Sequence, residues 1–357
     1  MTLCNNQGMF LAFKEITHEK RHFALITAMI TLVGILAFFL TALAVGLLAA
    51  MTQGIQKLDS DYVLLSEASN QSIQASLIPE DAAKQIEAED VARLGLGVLT
   101  LKRGDERTTT TILAMDPKDF TAPQLVEGKM YGAEGEVVAD DSLKQDGYKL
   151  GDTVQTSQRD EPFKIVGFTT DRTYAAAPIV YMTIPDWQST GPQYRGFVSA
   201  ITTKGEVSAS QLEDYKLTSQ TLSDFYTELP GVSEQNLTFM LMVIALIIVS
   251  AVILGIFIYV LTLQKRRIFG VMKTQGISNW MIGWSVIWQT AILSILGSVL
   301  AVVIVIALQA VIPPQVPITI PWLLFGLMGA IMVGFSLLGA LFSVRSATKV
   351  DPLIALK

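Results

Sequence analysis

Two histidines, one cysteine and no phosphate-binding signature limit the chemistry this 357-residue chain can perform by itself. His18 and His22 stand four apart, a spacing that can chelate a metal on one helix face. They belong to a charged stretch ahead of a long apolar run, so a solvated polar face beside phospholipid is the simpler reading. No histidine lies between Thr52 and Asn236, so no Ser–His–Asp set can form there. G-x-x-x-x-G-K-[ST] is absent, and Gly128-Lys129 lacks the upstream glycine. The lone Cys4 permits no intramolecular disulfide. The chain does not read as an enzyme, and nothing in it suggests a nucleic-acid partner.

The stretch that stands out is KRRIFGVMKTQGIS, residues 265–278, with four cations, two glycines and no acid. Attraction to anionic lipid, about 1 kcal/mol per cation, would account for the charges. It leaves Ile268, Phe269, Val271 and Met272 unexplained, because apolar groups are costly in water. A surface both basic and oily suits docking into a groove of a partner protein.

Four apolar runs surround it, approximately Phe23–Met51, Leu237–Leu263, Trp280–Ile312 and Ile320–Val344, each long enough to cross a bilayer. The chain is 51% hydrophobic and only 16% charged, which agrees with a membrane protein. Lys14, Lys20 and Arg21 precede the first run, Lys265–Lys273 separate the second from the third, and Arg345, Lys349 and Lys357 follow the fourth. The positive-inside rule then puts both termini and the basic stretch (264–279) in the cytoplasm, and makes the chain a multi-pass protein of the plasma membrane. The residues from Thr52 to Asn236, holding 29 of the 32 acids, fall outside. No acidic or basic residue lies inside a run, which argues against a proton- or ion-coupled carrier.

The fold expected is four transmembrane α-helices with a mixed α/β extracytoplasmic domain (67–230) inserted between the first and second. Residues 1–8 read as a disordered tail, 9–22 as an amphipathic helix on the inner interface, and 345–357 as a cytoplasmic tail. The first span (23–51) is expected to continue as a helical stalk to about residue 66, because Leu47, Met51, Ile55, Leu58, Tyr62 and Leu65 keep helical spacing. That seam packs on its own domain or a second stalk, or is partly open to an apolar substrate. Helices are expected over 78–90 and across most of 208–230, with strands between. Gly326, Ala330 and Gly334, and likewise Gly297 and Ala301, read as small-residue stripes for close helix contact.

The basic stretch resembles the coupling helix of MacB/FtsX-type ABC permeases, matching at Arg267, Gly270, Val271, Met272, Lys273, Gly276 and Ser278. The ending Arg345-Ser-Ala-Thr-Lys349-Val-Asp351-Pro352-Leu-Ile-Ala355-Leu356 is similar to the family's D-P-h-x-A-L tail, and GEVVADDSLKQDGYKLGDTV to its outer pattern. Ile268-Phe269 replaces the usual glutamate, a form that resembles the haem-exporting branch of Gram-positive bacteria. The resemblance implies a homodimer, in contact with membrane lipid and carrying two cytoplasmic ABC ATPase subunits that bind the ATP. Arg267, Phe269, Gly270, Val271, Met272, Lys273 and Gly276 would couple chain to ATPase, and there would be no intrinsic cofactor or resident metal.

For haem as substrate, iron needs a thioether, phenol or carboxylate near the outer surface and the porphyrin needs apolar walls. Met51, Tyr62, Glu67, Tyr174, Met240 and Met242 are the candidates. Met240 and Met242, about 200° apart on a helix, cannot share one site. Export of a peptide, lipoprotein or drug, or a non-transporting mechanotransducer controlling a cell-wall hydrolase, are the alternatives within the same architecture.

Overall fold

The computed structural model describes residues 14, 15, 17–104, 106–229, 231–313 and 316–347. The chain forms two compact units, one of Leu47–Leu237 and one of Met1–Gly46 with Thr238–Lys357. The tail over 1–8, residues 9–13 and 16 of the amphipathic segment, and residues 348–357 of the C-terminal ending lie outside the described residues.

Helix α1 (Lys20–Gln56) contains no proline and is rich in Leu, Ala and Ile. Its 37 residues rise about 55 Å, well beyond a hydrocarbon core of about 30 Å. The outer-domain strands follow: β1 (Tyr62–Ser66), β2 (Ile78–Pro79), β3 (Asp90–Arg103), β4 (Glu106–Ala114), β5 (Glu127–Gly128), β6 (Glu136–Asp140) and β7 (Thr153–Thr156). Next come β8 (Phe163–Thr169), β9 (Thr173–Tyr174), β10 (Ala177–Met182), the short helix α2 (Ile184–Ser189), β11 (Phe197–Val198), β12 (Ala200–Lys204) and β13 (Leu217–Thr221). Long helices return as α3 (Val232–Gln264), α5 (Asn279–Val311) and α6 (Trp322–Ala347), with α4 (Arg266–Thr274) between α3 and α5. Four of these helices are long and apolar enough to span a membrane.

One sheet runs in the order β13-β1-β12-β3-β4-β10-β6-β8-β5. Only β4–β10 and β6–β8 pair in parallel among these neighbours. The α1 extension packs into the core beneath it: Ile55 and Leu58 join Leu65, Leu94, Leu113, Tyr174 and Tyr181, with Met51 at the margin. The seam along residues 51–58 is therefore covered by its own domain.

Three expectations are revised. The helix stops at Gln56, and Tyr62–Ser66 is a strand between β12 and β13 rather than further stalk. Asp59, Ser60 and Asp61 break the helix, and Val63, Leu64 and Leu65 are all buried, the pattern of a central strand. Over 78–90 only Glu80–Ala83 is helical. Extension would set Glu87, Glu89 and Asp90 against the negative helix end, and Asp90 instead begins β3. Over 208–230 the helix divides into Ala209–Asp214 and Leu222–Thr227 around β13, which pairs with β1.

In the membrane unit, α1 lies tightly on α5 and α6. A Cβ at Gly34 would meet Ala301 at 2.8 Å, and one at Gly297 would meet Ile30 at 2.7 Å. The Thr31 hydroxyl donates to the Gly297 carbonyl, and Phe38 packs on Phe325 with ring centroids 4.9 Å apart. Helices α3 and α6 touch where Gly255 meets Gly339. The Gly297/Ala301 stripe thus makes the close contact expected of it. Gly326 and Gly334 do not, since among the described residues nothing lies within 4 Å of a Cβ at either. They line an apolar groove of about 720 Å³ with Phe38, Ser298 and Trp322.

Candidate functional site: the α4 knob and the outer end of α1

The basic stretch folds as a short amphipathic helix held at both ends. At its start, Lys265 is buried; its ammonium lies 2.6 Å from Glu15 and 4.4 Å from the Phe23 ring centre. Gln289 of α5 donates to Glu15 and to the Ser285 hydroxyl. At its end, Gly276 takes φ +84°, which glycine adopts at little cost. The Gly276 N–H donates to the Lys273 carbonyl and the Ile277 N–H to the Met272 carbonyl, the paired bonds of a Schellman stop. Ser278 then caps α5 by accepting from the Met281 N–H.

Between these ends the two faces of α4 differ. Phe269 is 3% exposed and packs in the membrane-unit core with Ile258, Ile282 and Val286; Met272 and Ile277 cover that core. Ile268 and Val271 point outward, 39% and 47% exposed. The residues expected to couple to a partner therefore separate by role. Phe269, Gly270 and Met272 face inward and fix the helix, Gly276 ends it, and Val271 belongs to the presented surface. Ile268, the substituted position of the motif, is the exposed apolar residue outside the expected set. The side chain of Arg267 lies outside the described residues, and Lys273 is half-buried. The Glu15–Lys265–Gln289 cluster was also not anticipated. A polar Gln289 at the mouth of an otherwise apolar span was its signal in the sequence.

Of the six haem candidates, four fall in the outer unit and two, Met240 and Met242, in the membrane unit. Met240 is 60% exposed on α3, and Met242 is half-buried. In the outer unit, Met51 and Tyr174 share one core cluster, whereas Tyr62 lies at the edge of another and Glu67 is exposed after β1. Burial pushes the Tyr174 phenol up to about 12, which further disfavours the phenolate. Among the described residues, no group of three or more His, Cys, Asp or Glu could hold a metal ion.

Met51 and Tyr174 come together through a strained turn. Strands β9 and β10 are joined by Ala175 and Ala176, at φ +50° and +59°. A two-residue hairpin of this hand favours Asn-Gly, and left-handed backbone costs roughly 1–2 kcal/mol per residue bearing a Cβ. Farther round the domain, Arg159 gathers Asp186 at 2.9 Å and Glu134 and Glu161 at 3.1 Å. A polar cleft of about 610 Å³ opens beside it, lined by Glu80, Arg93, Asp116, Lys118 and Asp186.

Residues 24–215 match the MacB-like periplasmic core domain, and residues 240–352 match the FtsX-like permease C-terminal domain. A protein of Staphylococcus haemolyticus (strain JCSC1435) named hemin transport system permease protein HrtB is 25% identical over 276 residues, 76% of this chain and 77% of the relative. The protein of that name from Staphylococcus epidermidis (strain ATCC 12228) is 22% identical over 274 residues, with the same coverage of 76% and 77%. Among solved structures, the extracellular domain of the noncanonic ABC-type transporter YknZ from Gram-positive bacteria overlaps 48% of this chain and 94% of that one. That overlap has 12% identity and a TM-score of 0.31.

Proposed function

We propose a function from one premise: the chain belongs to the family of ABC permeases built from a MacB-like periplasmic core domain and an FtsX-like C-terminal domain. It is a multi-pass membrane protein and the permease part of a transport system. We infer that it works as a homodimer with two cytoplasmic ATPase subunits, with both termini and α4 on the inner side of the plasma membrane. ATP-driven closure of the ATPases moves α4, and α1 carries that motion to the outer domain.

The observation that carries this reading is the division of α4. Phe269 anchors it in the membrane core while Ile268 and Val271, within a basic stretch of sequence, are exposed. An apolar pair exposed on a rigidly held, basic helix has the form of a docking knob, because a lipid-facing helix needs no such buried polar anchorage as Glu15–Lys265. The test is co-purification with the cognate ATPase. Ile268→Asp should abolish capture with the permease still folded; capture at wild-type level would refute the knob.

The cargo we propose is haem, expelled from the outer leaflet. Support comes from the names of the two staphylococcal relatives and from the donor chemistry of two separate groups, the half-buried Met51 thioether of α1 and the exposed Glu67 carboxylate after β1. Protein purified from haem-fed cells should show a Soret band, weakened when Met51 and Glu67 are changed together to Ala and Gln. A complex with no Soret band under saturating haem would redirect the assignment to a peptide, lipoprotein or drug.

A further inference from the structure

The two amides of the strained Ala175–Ala176 turn do not point to solvent. The Ala175 N–H donates to the Met51 carbonyl at 3.0 Å and the Ala176 N–H to the Ala50 carbonyl at 3.1 Å, both within α1. One helical turn farther along, Gly54 lets the hairpin lie against the helix. A Cβ there would fall 2.1 Å from the Ile179 δ-methyl and 3.0 Å from the Thr173 carbonyl oxygen. Past the end of the helix, the Arg172 guanidinium donates to the Lys57 carbonyl at 3.0 Å, and Lys57 pairs with Asp171 at 3.3 Å. Asp171 is itself left-handed, at φ +52°. The Arg172 backbone N–H in turn donates to Asp140 at the end of β6, at 2.7 Å.

Residues 171–179 thus grip α1 at Ala50, Met51 and Gly54 and the chain just past it at Lys57, and strands β6 and β10 hold the grip from behind. Strained backbone persists where surrounding contacts over-determine it. Here the over-determining contacts are carbonyls of the helix, so the turn keeps its shape only while α1 is seated.

We propose that the 171–179 hairpin is the joint that makes the outer end of α1 move as one with the outer sheet, with Gly54 and Arg172 as its positioning residues. This rests on the proposed transmission of ATPase motion through α1. Without the joint, displacement of the helix would be taken up by the loop at Asp59–Asp61. With it, displacement enters the sheet at β10 and at Asp140 of β6.

The test separates the grip from its role. In the full chain in nanodiscs, Gly54→Ala should raise the hydrogen exchange of the Ala175 and Ala176 amides at least tenfold. Adding Ile179→Val, which removes the δ-methyl in the way, should restore protection. Unchanged exchange in Gly54→Ala would overturn the grip. In the complex with the cognate ATPase, ATP trapping should alter exchange in β6 and β10. Gly54→Ala should lose more than half of that response with ATP hydrolysis within twofold of wild type, and the Ile179→Val partner should recover it. A full response in Gly54→Ala, despite exposed turn amides, would overturn the role as a joint. A wild-type complex with no ATP-dependent response would instead count against the proposed function, and the first experiment would still decide the grip.

Discussion

Lys265 and Glu15 form an ion pair of 2.6 Å whose side chains are only 9% and 13% exposed, tying the residues ahead of α1 to the start of α4. The Phe23 ring lies under the ammonium and Gln289 satisfies the second carboxylate oxygen. A charge pair this enclosed adds little net stability, but removing Glu15 leaves the buried Lys265 with only the longer, more exposed contact to Glu19 at 3.9 Å. What the pair supplies is register: α4 cannot rotate or slide without parting it.

Glu15→Ala should therefore destabilise the membrane unit by about 3 kcal/mol. The joint replacement Glu15→Leu with Lys265→Met should recover most of that loss. Thermal unfolding of the purified chain reads both. If the double variant is as unstable as the single one, the cluster stabilises by something other than charge compensation.

The two faces of α4 should respond oppositely to substitution. Val271→Asp adds a carboxylate to an exposed position and should reduce ATPase capture at least tenfold with little change in thermal stability. Phe269→Ala empties a site that is 3% exposed in the core and should cost about 3 kcal/mol, lowering capture only as far as the fold is lost. Equal effects of both on capture, at equal stability, would show that the helix engages its partner through both faces.

The spans, the inserted domain and the short helix within 265–278 were legible because each rests on local pattern: apolar length, cation placement, glycine punctuation. What the sequence hid was set by distant partners. The spacing of Ile55, Leu58, Tyr62 and Leu65 fits a helix, yet Tyr62–Ser66 pairs with β12 and β13, segments more than 130 residues away. Gly326 and Gly334 read as a helix-contact stripe because small residues permit contact; which helix approaches them is decided elsewhere in the chain. The Ala-Ala turn carries no hairpin signal at all, since its left-handed backbone is held by carbonyls of α1. Donor chemistry alone marks the haem candidates, and it cannot tell the exposed Glu67 from the enclosed Tyr174.

That difference gives a direct expectation. Tyr174 is 6% exposed and enclosed in the outer-domain core, so Tyr174→Phe should leave haem affinity within twofold of wild type. Glu67→Gln removes an exposed anion at the end of β1 and should weaken haem retention severalfold. Difference spectra under a haem titration distinguish them. A large loss with Tyr174→Phe would mean that the region around α1 opens enough to expose the phenol to iron.

The last expectation concerns pH. Burial, and secondarily the charge of Asp116, raises the Asp119 carboxyl from 3.8 to about 6, while a backbone hydrogen bond at Asp116 and then the charge of Arg93 oppose the shift. The folded chain therefore holds this proton over a range where the unfolded chain has released it. Stability from Asp119 is complete below about pH 4 and is lost as pH rises through about 6. Asp119 is half-buried, so solvent screens part of the effect, leaving on the order of 1 kcal/mol at neutral pH. Asp119→Asn keeps the shape without the charge. It should stabilise the chain by about that amount at pH 7.5 and change nothing at pH 4, because the native carboxyl is already neutral there. Denaturant midpoints at the two pH values measure the difference directly, and a stabilisation of equal size at both would mean that the carboxylate's charge is not its source.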